Sequence, residues 1–162
     1  MSWSLRLPSA SPEETRALAA HLASAARPGD VIVLAGSLGA GKTTFAQGFA
    51  HGLGVRGPVT SPTFTLVRQY PCALGQLVHA DIYRLDQLAE VADLGIAELV
   101  EHGVALVEWG NVATPALAPV TWTIEITKDA ESDDGRTLTV RGDVDDRRDA
   151  VVAALGPALE AR

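Results

Sequence analysis

The residues Gly36-Ser-Leu-Gly-Ala-Gly-Lys-Thr43 could do chemistry on a phosphate chain. They fit the spacing G-x-x-x-x-G-K-[ST], in which consecutive backbone N–H groups form a nest for phosphate oxygens. Gly36, Gly39 and Gly41 let the backbone curl and approach a ligand closely. Lys42 can bridge β- and γ-phosphates, and Thr43 can offer its hydroxyl to Mg²⁺. The loop amides through Thr44, including those of Leu38 and Ala40, complete the cradle. The flanks suit the task. Asp30 to Ala35 is apolar and β-branched, as in a buried parallel strand. Thr44 to His51 sets Phe45 and Phe49 four apart on one helical face, so a helix dipole points at the loop.

Two carboxylates stand at the ends of other apolar stretches. Val104-Ala-Leu-Val107 ends in Glu108, a position from which an acid can hold Mg²⁺ directly or through water. Read alone, the same pattern also describes a surface Glu at a strand end. Asp81 closes the stretch before Ile82, Tyr83 and Arg84. It could orient an attacking water, accept its proton or join the metal shell; it could equally cap a following helix. His79 reads as a core or edge histidine, and Tyr83 and Arg84 either as a partner-binding or phosphate-facing pair or as surface residues. Ser61-Pro-Thr-Phe-Thr65 is either a segment ordered by Mg²⁺ and the γ-phosphate or an edge strand with threonines at its exposed positions, which Pro62 suits equally well.

These residues need a scaffold, and its elements are legible in outline. Ser2 to Leu7 alternates as a half-buried strand, and Ser11 caps a helix over 12–26 with Glu14 at the capping-box position. Further strands are expected at 76–82 and 104–107, a helix or a broken pair over 85–100, a hairpin from 121–127 and 136–141, and a helix over 145–159. Strands alternating with helices predict one α/β domain over 1–162 of the P-loop NTPase type. Its central, mostly parallel sheet is flanked by helices and carries antiparallel edge strands. The ligand belongs at the carboxyl ends of the strands.

Composition narrows the functions. The chain has 162 residues, 47% hydrophobic and 20% charged, which are globular values. A net charge of −7 without a basic cluster disfavours direct, strong tRNA or other nucleic-acid binding. A lone cysteine, Cys72, forms no internal disulfide and fits a reducing cytoplasm. No apolar run is long enough to span a membrane, and no secretory signal is seen. The guanine-reading Asn-Lys-x-Asp motif, an Arg-rich kinase lid and the Leu-Ser-Gly-Gly-Gln signature are absent from the sequence.

Four motifs occur in order: Gly36 to Thr44, Ser61-Pro-Thr-Phe-Thr-Leu66, His79-Ala-Asp-Ile-Tyr-Arg-Leu85 and Glu108-Trp-Gly110. The set resembles the bacterial ATPase of tRNA threonylcarbamoyladenosine biosynthesis, the TsaE family. The resemblance is good over 11–110 and only general beyond. It implies a cytoplasmic P-loop ATPase that binds ATP or ADP with Mg²⁺ and hydrolyses ATP slowly alone. It also implies service to a TsaD–TsaB heterodimer that modifies adenosine at position 37 of tRNA. On this resemblance Lys42 and Asp81 are catalytic, and Thr43 and Glu108 hold the metal. Trp109 lies near the nucleotide, and Thr15 and Arg136 approach the adenosine. The family usually has Asp where this chain has Ser37. The rival expectations are a small-molecule kinase, which would pass the γ-phosphoryl group to an organic acceptor, and a binding module gated by ATP.

Overall fold

The computed structural model describes residues 2–37, 39–62, 67–82, 95–108 and 120–160. Seven strands form one sheet in the order β1-β7-β6-β2-β5-β4-β3. The strands are β1 (Trp3–Ser9), β2 (Val31–Gly36), β3 (Val67–Cys72), β4 (Gly75–Asp81), β5 (Gly103–Glu108), β6 (Trp122–Lys128) and β7 (Arg136–Gly142). The helices are α1 (Pro12–Ala23), α2 (Lys42–Gly52), the short α3 (Ile96–Leu99), which runs into a 3₁₀ turn at Val100–His102, and α4 (Asp145–Glu160).

The centre is parallel: β2 pairs with β5 and with β6, and β4 pairs with β5. Antiparallel strands close both edges, β3 on β4 at one and β7 and β1 beyond β6 at the other. The mixed α/β sheet therefore agrees with the sequence-based expectation, including the β6–β7 hairpin. β2 has neighbours on both sides, and Val31 to Ala35 are all buried, which is why its sequence is uninterruptedly apolar.

Each face of the sheet has its own core. Ile32, Leu34, Leu106, Ile124 and Leu138 face α1, α2 and α4, while Val31, Val78, Ala80 and Val107 face Ile96 and Val100 on the other side. The Ser11 hydroxyl accepts from the Glu14 N–H, and the Glu14 carboxylate reaches back to the Ala10 N–H at 3.1 Å. α1 ends at Ala23, earlier than the expected Ala26, because Arg27-Pro28-Gly29 turns the chain into β2. Position 59–62 carries no strand. The edge strand lies later, at Val67–Cys72, with Pro71 tolerated there because an edge need not donate every N–H. Most of the helix expected over 85–100, and Tyr83 and Arg84, lie outside the described residues. No helix among the described residues is long and apolar enough to cross a membrane.

Helices α1 and α2 cross at unusually short range. A Cβ at Gly52 would stand 2.6 Å from the Ala20 carbonyl oxygen, and one at Gly48 would overlap the Arg16 backbone. Glycine costs helix propensity at these two positions, and the close approach it permits holds α2, and the loop before it, against α1. Gly48→Ala is therefore expected to destabilise the protein by about 1–3 kcal/mol through overpacking, rather than stabilise it as in an exposed helix. Urea unfolding of the variant measures this.

Candidate functional site

The site begins where β2 stops. A Cβ at Gly36 would come 2.8 Å from the Ile126 carbonyl oxygen, so the chain can leave the strand this close to β6 only as glycine. Gly39 and Gly41 have φ of +77° and +110°, conformations that L side chains rarely adopt. Gly41 opens α2 with no side-chain cap, which leaves the first N–H groups of the helix directed at the loop. The loop's curvature thus follows from the positions of its glycines.

Lys42, the first residue of α2, is buried at 6% exposure. Its ammonium donates to the Gly36 and Ser37 carbonyls at 2.8 and 2.9 Å, lying back across the loop. Burial lowers its pKa from 10.5, with Lys128 acting in the same sense and the Glu108 and Asp81 carboxylates opposing. Thr43 is exposed and Thr44 partly so, both at the mouth of the cleft.

The carboxylates arrive by strand register. Asp81 and Glu108 are directly paired as the last residues of the parallel strands β4 and β5. Glu108 is also level with Leu34 of β2, next to the start of the loop. Glu108 is not a surface residue: it is 2% exposed. The His79 Nε2 is 2.6 Å from its Oε2, and the ring is fully buried. With Nε2 donating to Glu108, Nδ1 has no hydrogen-bond partner among the described residues. The Ser61 hydroxyl stands between the two acids, 3.4 Å from Asp81 Oδ2 and 3.5 Å from Glu108 Oε2. Together Gly39, Lys42, Thr43, Ser61, Asp81 and Glu108 line one cleft of about 340 Å³.

A smaller pocket adjoins the loop. Thr15, Pro12, Ala40, Gly41, Thr44, Asp134 and Arg136 line it. Thr15 is buried and shares a hydrogen bond with Ser9 at 2.7 Å. Arg136 donates from Nε to the Ala40 carbonyl at 2.8 Å and from Nη1 to the Asp133 and Gly135 carbonyls. Thr15 and Arg136 are 121 positions apart in the chain, yet the fold sets both beside the loop. Leu38, Trp109 and the segment 63–66 lie outside the described residues.

Sequence reading did not connect His79 or Ser61 with the acids in this way. For His79 a signal existed: it is two residues before Asp81 on a strand, so both point to the same face. Which residue of β5 meets that face depends on register, which is not written locally. Replacing His79 by Leu leaves the Glu108 carboxylate buried without its closest donor. A loss of about 1–3 kcal/mol is expected, read as a lower urea midpoint, with a smaller loss in His79→Gln, which can still donate.

Comparison with known proteins places the chain. The family model for threonylcarbamoyl adenosine biosynthesis protein TsaE matches residues 9–138. The TsaE protein of Bacillus subtilis is 45% identical over 129 residues, covering 79% of each chain. That of Streptomyces coelicolor is 49% identical over 100 residues, covering 59% of this chain and 67% of its own. The crystal structure of Bacillus subtilis YdiB superposes with a TM-score of 0.73 at 36% identity, covering 95% of both chains. The chain belongs to the TsaE family of threonylcarbamoyl adenosine biosynthesis proteins.

Proposed function

We propose that this protein is a Mg²⁺-dependent P-loop ATPase that serves tRNA threonylcarbamoyladenosine formation at position 37 together with a TsaD–TsaB heterodimer. The observation that carries the reading is the convergence of Lys42, Thr43, Asp81 and Glu108 on one cleft beside the glycine loop. Family membership supplies the pathway. The P-loop NTPase assignment is supported by the β2–loop–α2 unit within a sheet that is parallel at its centre.

In this reading the loop amides and Lys42 hold the phosphate chain of ATP and offset charge that develops on it. To do so Lys42 exchanges the Gly36 and Ser37 carbonyls for phosphate oxygens. The donor set suits Mg²⁺, a hard ion that takes oxygen ligands: the Thr43 hydroxyl and the Glu108 carboxylate would hold it, within reach of Asp81. Among the described residues no group of three His, Cys, Asp or Glu side chains is placed to hold a metal ion by itself, so in this reading phosphate and water would complete the shell. The ion would supply charge neutralisation on the phosphates. Asp81 orients water for in-line attack on the γ-phosphorus and takes its proton. Thr15 and Arg136 form one wall for the adenosine, in the smaller pocket next to the loop, and Trp109 is assigned a place near the nucleotide by the family resemblance. The small-molecule kinase remains the alternative, and finding the γ-phosphoryl group on an organic acceptor would favour it.

Phosphate release from Mg²⁺-ATP, with and without the TsaD–TsaB pair, tests the proposal. Slow release alone and strong stimulation by the pair are expected; no response to the pair would remove the pathway-specific part. Asp81→Ala should abolish turnover and leave ATP binding largely intact. Wild-type turnover in that variant under stimulation would exclude Asp81 from the chemistry. A pH titration gives a second check. Burial keeps the pKa of Lys42 below 10.5 in the free protein, and adjacent phosphate charge raises it again. Binding then takes up a proton at alkaline pH, so ATP affinity should fall as pH rises through the free-protein value. Calorimetry in buffers of different ionisation enthalpy reads that uptake directly.

A further inference from the structure

The chain contains two lysines, Lys42 and Lys128, among eleven arginines. They are 86 positions apart, on different elements, and the fold brings both to the glycine loop. Lys128 is the last residue of β6. β6 runs parallel to β2 with Ile126 level with Gly36, so Lys128 extends past the end of β2, over the turn. Its side chain shares the face of Ile126, toward the loop and α2. Its ammonium is 3.3 Å from where a Cβ of Gly39 would stand, and its Cε is 3.8 Å from that point.

Three observations give this placement a purpose. First, Gly39 also lines the main cleft with Lys42, Asp81 and Glu108, so the ammonium lies against a residue of that cleft. Second, Lys128 is exposed and its ammonium makes no hydrogen bond or ion pair with the described residues, whereas the side chain of its cross-strand partner Arg136 is engaged with three carbonyls. Third, Lys128 disfavours the charged form of Lys42. Two like charges held beside a nest of backbone N–H groups, in a chain of net charge −7, form an arrangement that an anion relieves.

We infer that Lys128 is a second phosphate-binding cation, reaching across Gly39 from the end of β6 to the phosphate chain of the bound nucleotide. The inference rests on the proposed ATP site and adds a residue that the glycine-loop pattern does not contain. Lys42 approaches from within the loop and Lys128 from outside it, so the phosphates lie between them. Being solvent-accessible, the Lys128 contact is screened by salt more strongly than that of buried Lys42. Arg can keep the contact, because charge and reach are what is needed.

Calorimetric titration of MgATP into wild type, Lys128→Gln and Lys128→Arg tests this, at low and at moderate ionic strength. Lys128→Gln is expected to bind about tenfold more weakly at low salt, the order of one charge-assisted contact. Its affinity should also fall less steeply with salt, and Lys128→Arg should recover most of the loss. In the wild type, saturating MgATP should protect the Lys128 ε-amine from acetylation, which mass spectrometry can assign because only two lysines are present. Unchanged affinity and salt slope in Lys128→Gln would overturn the inference while leaving the ATP site standing. So would a loss that Lys128→Arg does not recover and that follows a lowered melting temperature. Wild-type protein that binds no MgATP would overturn both readings together.

Discussion

The pairing of β2, β4 and β5 in parallel is the constraint on which the site depends. Parallel strands end at the same edge, so whatever stands at their carboxyl termini is gathered there. Asp81 and Glu108 meet because they are the last, register-paired residues of β4 and β5. The glycine loop meets them because β2 pairs with β5 through Leu34 and Glu108. A slip of one residue in β4 would turn Asp81 and His79 to the opposite face, among Ile96 and Val100. The two-sided core resists such a slip, since Val78 and Ala80 would be driven out of it.

Electrostatics at this edge are arranged around a buried ammonium and a buried carboxylate. Burying either alone is expensive. Lys42 is supported by two loop carbonyls and by the field of both acids, while Glu108 is supported by His79 and Ser61. On the proposed function, the loop carbonyls that hold Lys42 are the partners it gives up to phosphate. The His79–Glu108 bond lies behind the cleft, where it fixes the orientation of the carboxylate. The same edge therefore contains one interaction suited to exchange with a ligand and one suited to holding still.

The other half of the molecule sets the position of α2. Gly48 and Gly52 let α2 lie directly on the backbone of α1. This contact carries the start of α1, with Pro12 and Thr15, to the side of the loop. The β6–β7 hairpin brings Arg136 and Lys128 to the same loop from the sheet. The loop is thus held between a helix, a hairpin and a parallel sheet whose segments are scattered along the chain.

Local sequence was sufficient for the glycine loop, because each of its requirements is met within eight residues: positive φ at Gly39 and Gly41, close approach at Gly36, and a helix starting at Lys42. It was sufficient for β2, for the cap at Ser11 and for the hairpin, where periodicity and turn residues are also local. It was not sufficient for the edge strand at Val67–Cys72, whose exposed positions and Pro71 blur the alternation. By itself the sequence determined that a glycine turn would form between a strand and a helix and that acids would stand at strand ends. Only the tertiary structure decided that Glu108 is buried against His79, that Ser61 lies between the acids, and that Lys128 reaches Gly39. Each of these depends on which strands are neighbours and in what register, and that is settled by the packing of the whole core rather than by any one segment.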